Sequence, residues 1–206
     1  EYVIEQGVTY LIHEEKRIPL KVFGKHNLEN IEGARLVCNT IGISDDHFYS
    51  AIQRFEGAAN RLELVSKHDD LVIFKDFAHA PSKVMATVEA VREQFPLHKL
   101  IAALELHTYS SLSKQFLDQY RGCFNYADEA CVYFNPHALQ MKRLPVLEEE
   151  SISKAFGNEN LTIFADSTEM IDWLKAIEGE KRVFLMMSSG NFDGIDFEQL
   201  SRDLSK

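Results

Sequence analysis

Two rhythms of apolar and polar positions divide the chain. Before residue 57 the pattern is mixed. Residues 8–13 and 17–23 carry β-branched and aromatic side chains on either side of a charged turn, which predicts an antiparallel strand pair. Leu28, Ile31, Ala34, Leu36 and Val37 then recur at roughly helical spacing, with Gly42 as the stop. A second helix is expected after Ser44, its N-cap, ending at Gly57. From Arg61 onward strand and helix alternate. Strands are predicted at 61–67, 71–77, 99–106, 129–134, 161–165 and 183–188. Helices are predicted at 81–95, 111–124, around 150–156, 167–177 and 196–205. This alternation implies an α/β fold, a mostly parallel Rossmann-like sheet with helices on both faces. The first 57 residues are too few for a complete α/β domain and read as the tail of one, with residues 58–206 as a second domain.

Composition narrows the class. A chain that is 45% hydrophobic and 26% charged is of ordinary globular type. Its formal charge of −10, with no cluster of Lys and Arg, argues against a nucleic-acid partner. No apolar run approaches the roughly 20 residues that span a bilayer, so no membrane partner is expected. Three widely spaced cysteines, with no signal peptide, predict reduced thiols in a cytoplasmic protein, and none matches zinc-ligand spacing. No metal site is predicted within the chain.

In open parallel sheets ligands bind at the carboxyl ends of strands, which directs attention to three polar turns. "KDFAHAPSKV" places Asp76 and His79 just before a helix with Pro81 in its first turn. Asp76 either caps that helix or takes the hydroxyls of a ribose; His79 either packs locally or meets a ligand. "LELHTYSS" brings His107 and several hydroxyls to the same edge, or else a helix start capped by Ser110 or Ser111. "MMSSGNFDGID" ends the last strand, and its glycines permit a tight loop. In "GKHNLEN", Asn27 and Asn30 share one face of a helix start. Either Asn27 is a cap or the pair of amides suits the edge of an adenine. Gly24-Lys25 is not a P-loop, and no strand is followed by G-x-G-x-x-G, which disfavours a nucleotide-dependent oxidoreductase.

In order along the chain, these motifs resemble the Mur ligase family. "GKHNLEN" resembles its G-x-H-N-x-x-N, "FEGAANRLELV" its F-x-G-x-x-x-R-x-E, and "KDFAHAPSKV" its D-Y-A-H-x-P. "LELHTYSS" is similar to the P-H-T-Y-S-R of the branch that adds L-alanine, without its proline and arginine. "MMSSGNFDGI" is similar to the S-N-G-x-F-x-G-I of the murein-peptide ligase branch. The resemblance implies an ATP-dependent amide ligase that uses Mg²⁺. It would join L-Ala-γ-D-Glu-meso-diaminopimelate or, alternatively, L-alanine to UDP-N-acetylmuramate through an acyl phosphate. It further implies Asn27 and Asn30 on the adenine, Arg61 and Asp76 on ribose or phosphates, and His79 near the reacting groups. His107, Ser188, Ser189 and Phe192 would line the acceptor pocket. The family's P-loop, magnesium-binding glutamate and UDP-binding domain have no counterpart in these residues, so this stretch alone is expected to be inactive. A non-catalytic binding module on the same fold is the alternative of another class.

Overall fold

A computed structural model describes residues 1–206 except Asp69, Glu159 and Lys206. The chain opens with three antiparallel strands, β1 (Tyr2–Glu5), β2 (Val8–His13) and β3 (Lys16–Leu20), one more than the predicted pair. The additional strand β1 is short and joined to β2 through Gln6 and Gly7, both at positive φ. Such paired left-handed residues make a turn whose twist matches the strands it joins. Helices α1 (Lys25–Thr40) and α2 (Asp45–Ile52) follow, and Leu20, Leu28, Ile31 and Phe48 form their shared core. Leu36 and Val37 do not join it: they are 53% and 63% exposed, and Ile41 beside them 71%. Ser44 occupies the N-cap position of α2, but its hydroxyl pairs with His47 Nδ1 instead of a backbone amide. The helix also stops at Ile52, short of the expected Gly57, which sits at φ +95° in the link that follows.

The remaining strands are β4 (Glu63–Lys67), β5 (Leu71–Asp76), β6 (Lys99–Leu106), β7 (Glu129–Phe134), β8 (Leu161–Phe164) and β9 (Arg182–Met187). They form one sheet in the order β4-β5-β9-β6-β7-β8, with only β4 antiparallel to its neighbour. Successive side chains in a strand point to opposite faces. Val72, Phe74, Leu100, Ala102, Val183 and Leu185 therefore face one layer, which holds α3 (Pro81–Gln94), α4 (Lys114–Leu117), a 3₁₀ turn (Asp118–Tyr120) and α6 (Glu149–Phe156). Leu71, Ile73, Ile101, Ala103, Phe184 and Met186 face the other, with α7 (Ser167–Ala176) and α8 (Phe197–Leu204). Both faces are covered, so the strands read as continuous apolar runs.

In the larger piece two elements differ from expectation. The predicted helix at 111–124 is only α4 and the 3₁₀ turn. Tyr120 is fully buried, stacks on Phe156 and donates its hydroxyl to the His79 carbonyl, while Gly122 turns the chain at φ +78°. Helix α5 (Pro136–Met141) is additional; Asn135 caps it through the amides of His137 and Ala138. Among the described residues no helix is long and apolar enough to cross a membrane.

The N-terminal piece is locked onto α3. Thr9 Oγ1 donates to Gln94 Oε1 at 2.8 Å, and Gln94 Nε2 donates to the Gly7 carbonyl at 2.6 Å. Phe23 meets Phe74 and Phe95 edge-on, and a Cβ on Gly24 would lie 2.8 Å from Ala90 Cβ. Gly24 also sits at φ +89°, where side chains are strained. The replacement Gly24→Ala is expected to lower stability by about 1–3 kcal/mol, the usual range for overpacking. Thermal denaturation would read this as a fall of roughly 2–4 °C per kcal/mol; an unchanged midpoint would show that the contact yields freely.

Candidate functional site

The parallel strands β5, β9 and β6 end at one edge of the sheet, and the three predicted polar turns leave from there. Ser188 N–H donates to the Asp76 carbonyl at 2.9 Å, so the β9 turn is stitched directly to the β5 turn. Two clefts meet along this seam, and Asp76 and Phe77 line both.

The first cleft, about 260 Å³, gathers His26, Asn27, Asn30, Arg61, Asp76, His79 and Lys83. Asp76 does not cap α3, as one reading expected: Ala80 is the N-cap residue and no side chain serves it. Instead Asp76 Oδ1 accepts from Ala78 N–H at 2.9 Å and Oδ2 from Thr87 Oγ1 at 3.2 Å. Burial pushes the Asp76 carboxyl above its ordinary range, with these hydrogen bonds pulling the other way. Burial likewise holds the His26 imidazole below its usual value, against the attraction of Asp76. His79 Nδ1 lies 2.8 Å from the Phe77 carbonyl and its ring meets Phe77 edge-on. Asn27 lies inside α1 and is not its cap; its Nδ2 donates to the Phe23 carbonyl at 2.8 Å, which leaves its amide oxygen for another partner. Among the described residues Arg61 and Lys83 carry no ion pair. A more apolar recess of about 310 Å³ adjoins, where Ile31, Ala34, Ile52 and Phe55 meet Asn27, Asn30 and Arg61.

The second cleft, about 520 Å³, lies between β5 and the loop after β9 and includes Asn60, Lys75, Ser188, Ser189 and Asn191. Lys75 is paired with Glu63 at 3.2 Å. Ser189 Oγ is buried without a partner among the described residues. Phe192 borders the cleft but is 1% exposed, its ring packed with Tyr133 and Phe197, so its side chain belongs to the core. Phe192 and Asp193 both hold positive φ, and the Asp193 carboxylate accepts from Tyr133 Oη at 2.7 Å and Asn135 Nδ2 at 2.8 Å. Burial, and after it that carboxylate, push the Tyr133 hydroxyl above its usual range.

The third turn joins less directly. His107 lines neither cleft; it stands behind Gly190, with Nδ1 3.4 Å from Glu105 Oε1. Ser111 does not cap a helix, because its hydroxyl is engaged with Thr108 in a closed turn, and α4 begins only at Lys114. Sequence reasoning missed His26, Lys83 and Glu105. All three stand inside the quoted motifs. Glu105 was marked by being the one charge inside the apolar run 100–106. Among the described residues no group of three metal-ligating side chains occurs.

Comparison with known proteins gives a consistent result. Residues 60–190 match the family model described as "Mur ligase, glutamate ligase domain". A UDP-N-acetylmuramate–L-alanine ligase from Gloeobacter violaceus is 34% identical over 131 residues, which are 62% of this chain and 28% of that protein. The solved UDP-N-acetylmuramate–alanine ligase of Thermotoga maritima superposes with a TM-score of 0.72 at 17% identity, covering 100% of this chain and 44% of the other. A murein peptide ligase from Psychrobacter arcticus gives 0.61 at 22% identity, covering 98% and 40%. The chain thus spans less than half the length of each of these three proteins.

Asp76 yields a test with a definite sign. A carboxyl raised by the fold is disfavoured when ionised, so the native state bears a penalty at neutral pH that disappears as pH falls below the ordinary carboxylate range. Asp76→Asn keeps an acceptor for the Ala78 amide and removes the charge. The variant is expected to melt higher at pH 7.5, with the difference vanishing as pH falls below the ordinary carboxylate range. A lower melting point at both pH values would mean that the hydrogen bonds outweigh the burial.

Proposed function

The chain belongs to the Mur ligase family, and we propose on that premise that it is the nucleotide-closing and acceptor-binding part of an ATP-dependent amide ligase. Residues 58–206 would be the family's C-terminal domain and residues 1–57 the end of a central ATP-binding domain. The exposed apolar face of α1 at Leu36, Val37 and Ile41 supports the second assignment, since a contiguous patch of this kind marks a covered surface. The observation that carries the reading is the seam at Asp76, where a cleft suited to a nucleotide abuts one suited to an acceptor.

The first cleft fits ATP by its chemistry. Asn30 and the free oxygen of Asn27 border an apolar recess that would take adenine. Asp76 would accept from ribose hydroxyls, Arg61 and Lys83 would face phosphates, and His79 would stand near the reacting groups. The acceptor would lie along Ser188 and Ser189, with His107 behind them and Phe192 fixing the loop from the core. The muramyl carboxylate of UDP-N-acetylmuramate would attack the γ-phosphorus and expel ADP. An amine would then attack the acyl phosphate, pass through a tetrahedral intermediate and expel phosphate. Mg²⁺, carried with the nucleotide, would offset the phosphate charge. The setting would be the cytoplasm.

For the acceptor we propose L-Ala-γ-D-Glu-meso-diaminopimelate, as in peptidoglycan recycling. The second cleft, about 520 Å³, is roomier than one small amino acid requires. L-alanine is the second reading, favoured by the Gloeobacter relative.

The test is phosphate release by the full-length gene product with ATP, Mg²⁺ and UDP-N-acetylmuramate, each acceptor supplied separately. Tripeptide-dependent release is expected, and L-alanine-dependent release would replace the first acceptor by the second. Silence with both would favour a binding module, and turnover by residues 1–206 alone would contradict the division of labour. In the same assay Arg61→Ala should raise the KM for ATP about ten- to a hundredfold, the cost of a lost charged hydrogen bond of roughly 1.5–3 kcal/mol.

A further inference from the structure

Arg61 is flanked on both sides by left-handed backbone. Asn60 sits at φ +56° and Leu62 at φ +43°. Asparagine tolerates that region, but a leucine there is an outlier that persists only where its surroundings over-determine it. Here they do. Leu62 is 8% exposed and belongs to the core layer that holds Val72 and Phe74. The Asn60 carbonyl accepts from Phe77 N–H at 2.7 Å, beyond the last registered pair of β4 and β5, Glu63 with Lys75. The Asn60 N–H donates to Glu63 Oε2, also at 2.7 Å, and Glu63 Oε1 pairs with Lys75 Nζ at 3.2 Å.

The bend changes what Arg61 can meet. In an extended strand, side chains two residues apart share a face, so Arg61 and Glu63 would stand side by side and pair. Instead the carboxylate is committed to the backbone on the other side of Arg61, and Lys75 takes its second oxygen. Among the described residues Arg61 is left without an ion pair. It is exposed and lines both the first cleft and the apolar recess beside it. Glu63 lines neither of these, nor the second cleft. The Glu63–Lys75 pair is partly open to solvent and contributes little by itself. A carboxylate on a backbone N–H makes the stronger, charge-assisted bond. That bond, with Lys75 adding to it, holds the Glu63 carboxyl below its ordinary range.

We propose that Glu63 is the positioning residue of Arg61: through the Asn60 amide it fixes the left-handed bend and so delivers an uncompensated guanidinium to the cleft, without touching a ligand itself. The inference rests on the nucleotide reading of that cleft and deepens it. A carboxylate two residues from a phosphate-facing arginine would otherwise neutralise it and compete with the anion. Committing that carboxylate to the backbone removes the competitor and turns it into a support.

Spectra of residues 1–206 test the bend without any ligand. The Asn60 amide proton should titrate with a carboxylate whose midpoint lies below the ordinary range. Its exchange should quicken in Glu63→Ala but not in Glu63→Gln, which keeps an acceptor. Binding of ATP to the full-length gene product tests the role. Glu63→Ala should weaken it about three- to tenfold, the fold-change of one lost hydrogen bond, and Glu63→Gln should stay near the parent. Adding Asn60→Gly to Glu63→Ala should restore most of the loss, since glycine takes left-handed φ without steric cost. In an Arg61→Ala background Glu63→Ala should weaken binding no further, because both changes remove the same contact. Additive losses, a Glu63→Gln variant as weak as Glu63→Ala, or an Asn60 amide indifferent to Glu63 overturn the proposal. If the parent binds no ATP, the nucleotide reading fails and the role with it, while the spectra still decide whether Glu63 holds the bend.

Discussion

Everything at the edge that carries the two clefts depends on where β9 lies. This last strand is inserted between β5 and β6, pairing Met187 with Asp76 on one side and with Leu104 on the other. Its register therefore fixes three turns at once. Ser188 continues the β5 pairing by donating to the Asp76 carbonyl, and one residue of β6, Glu105, receives the loop that follows. A parallel sheet places its strand ends together; a central last strand makes those ends cooperate.

Two carboxylates, the half-buried Asp76 and the buried Glu105, serve this edge in different ways. Asp76 spreads its hydrogen bonds over both oxygens, to Ala78 N–H and Thr87 Oγ1, and is held above its ordinary range by burial. Glu105 is already saturated on one oxygen and spends that oxygen on loop geometry. One faces the seam between the clefts and the other lies behind it. Their roles follow from how much hydrogen-bonding capacity the fold leaves unused.

The sheet was legible in the sequence because each parallel strand is an apolar run bounded by polar turns, so all six strands of the larger sheet fall where periodicity puts them. The order β4-β5-β9-β6-β7-β8 was not, since no local pattern states which strands neighbour each other. Failures elsewhere have local causes. Strand β1 is too short to show alternation, and the Asn135-Pro136 start of α5 was passed over although an N-cap followed by proline is a helix signal. The helix at 111–124 is broken by tertiary demand, because Tyr120 must reach the His79 carbonyl. At the site, Asp76, His79 and Arg61 stood out as motif residues and share one cleft. Glu105 was obscured because its meaning resides in Ser188, 83 residues further on.

The junction around Gln94 has a mechanical corollary. The N-terminal piece is tied to the larger sheet covalently through residues 57–62, where Gly57, Asn60 and Leu62 all hold left-handed φ, and again through Thr9 and Gly7 on the far end of α3. Phe23 against Phe74 and Phe95, Gly24 against Ala90 and Tyr2 Oη on Glu93 fasten it further. Any swing of the two pieces must unfasten Gln94 and strand a buried amide, so α3 acts as a strut that resists it.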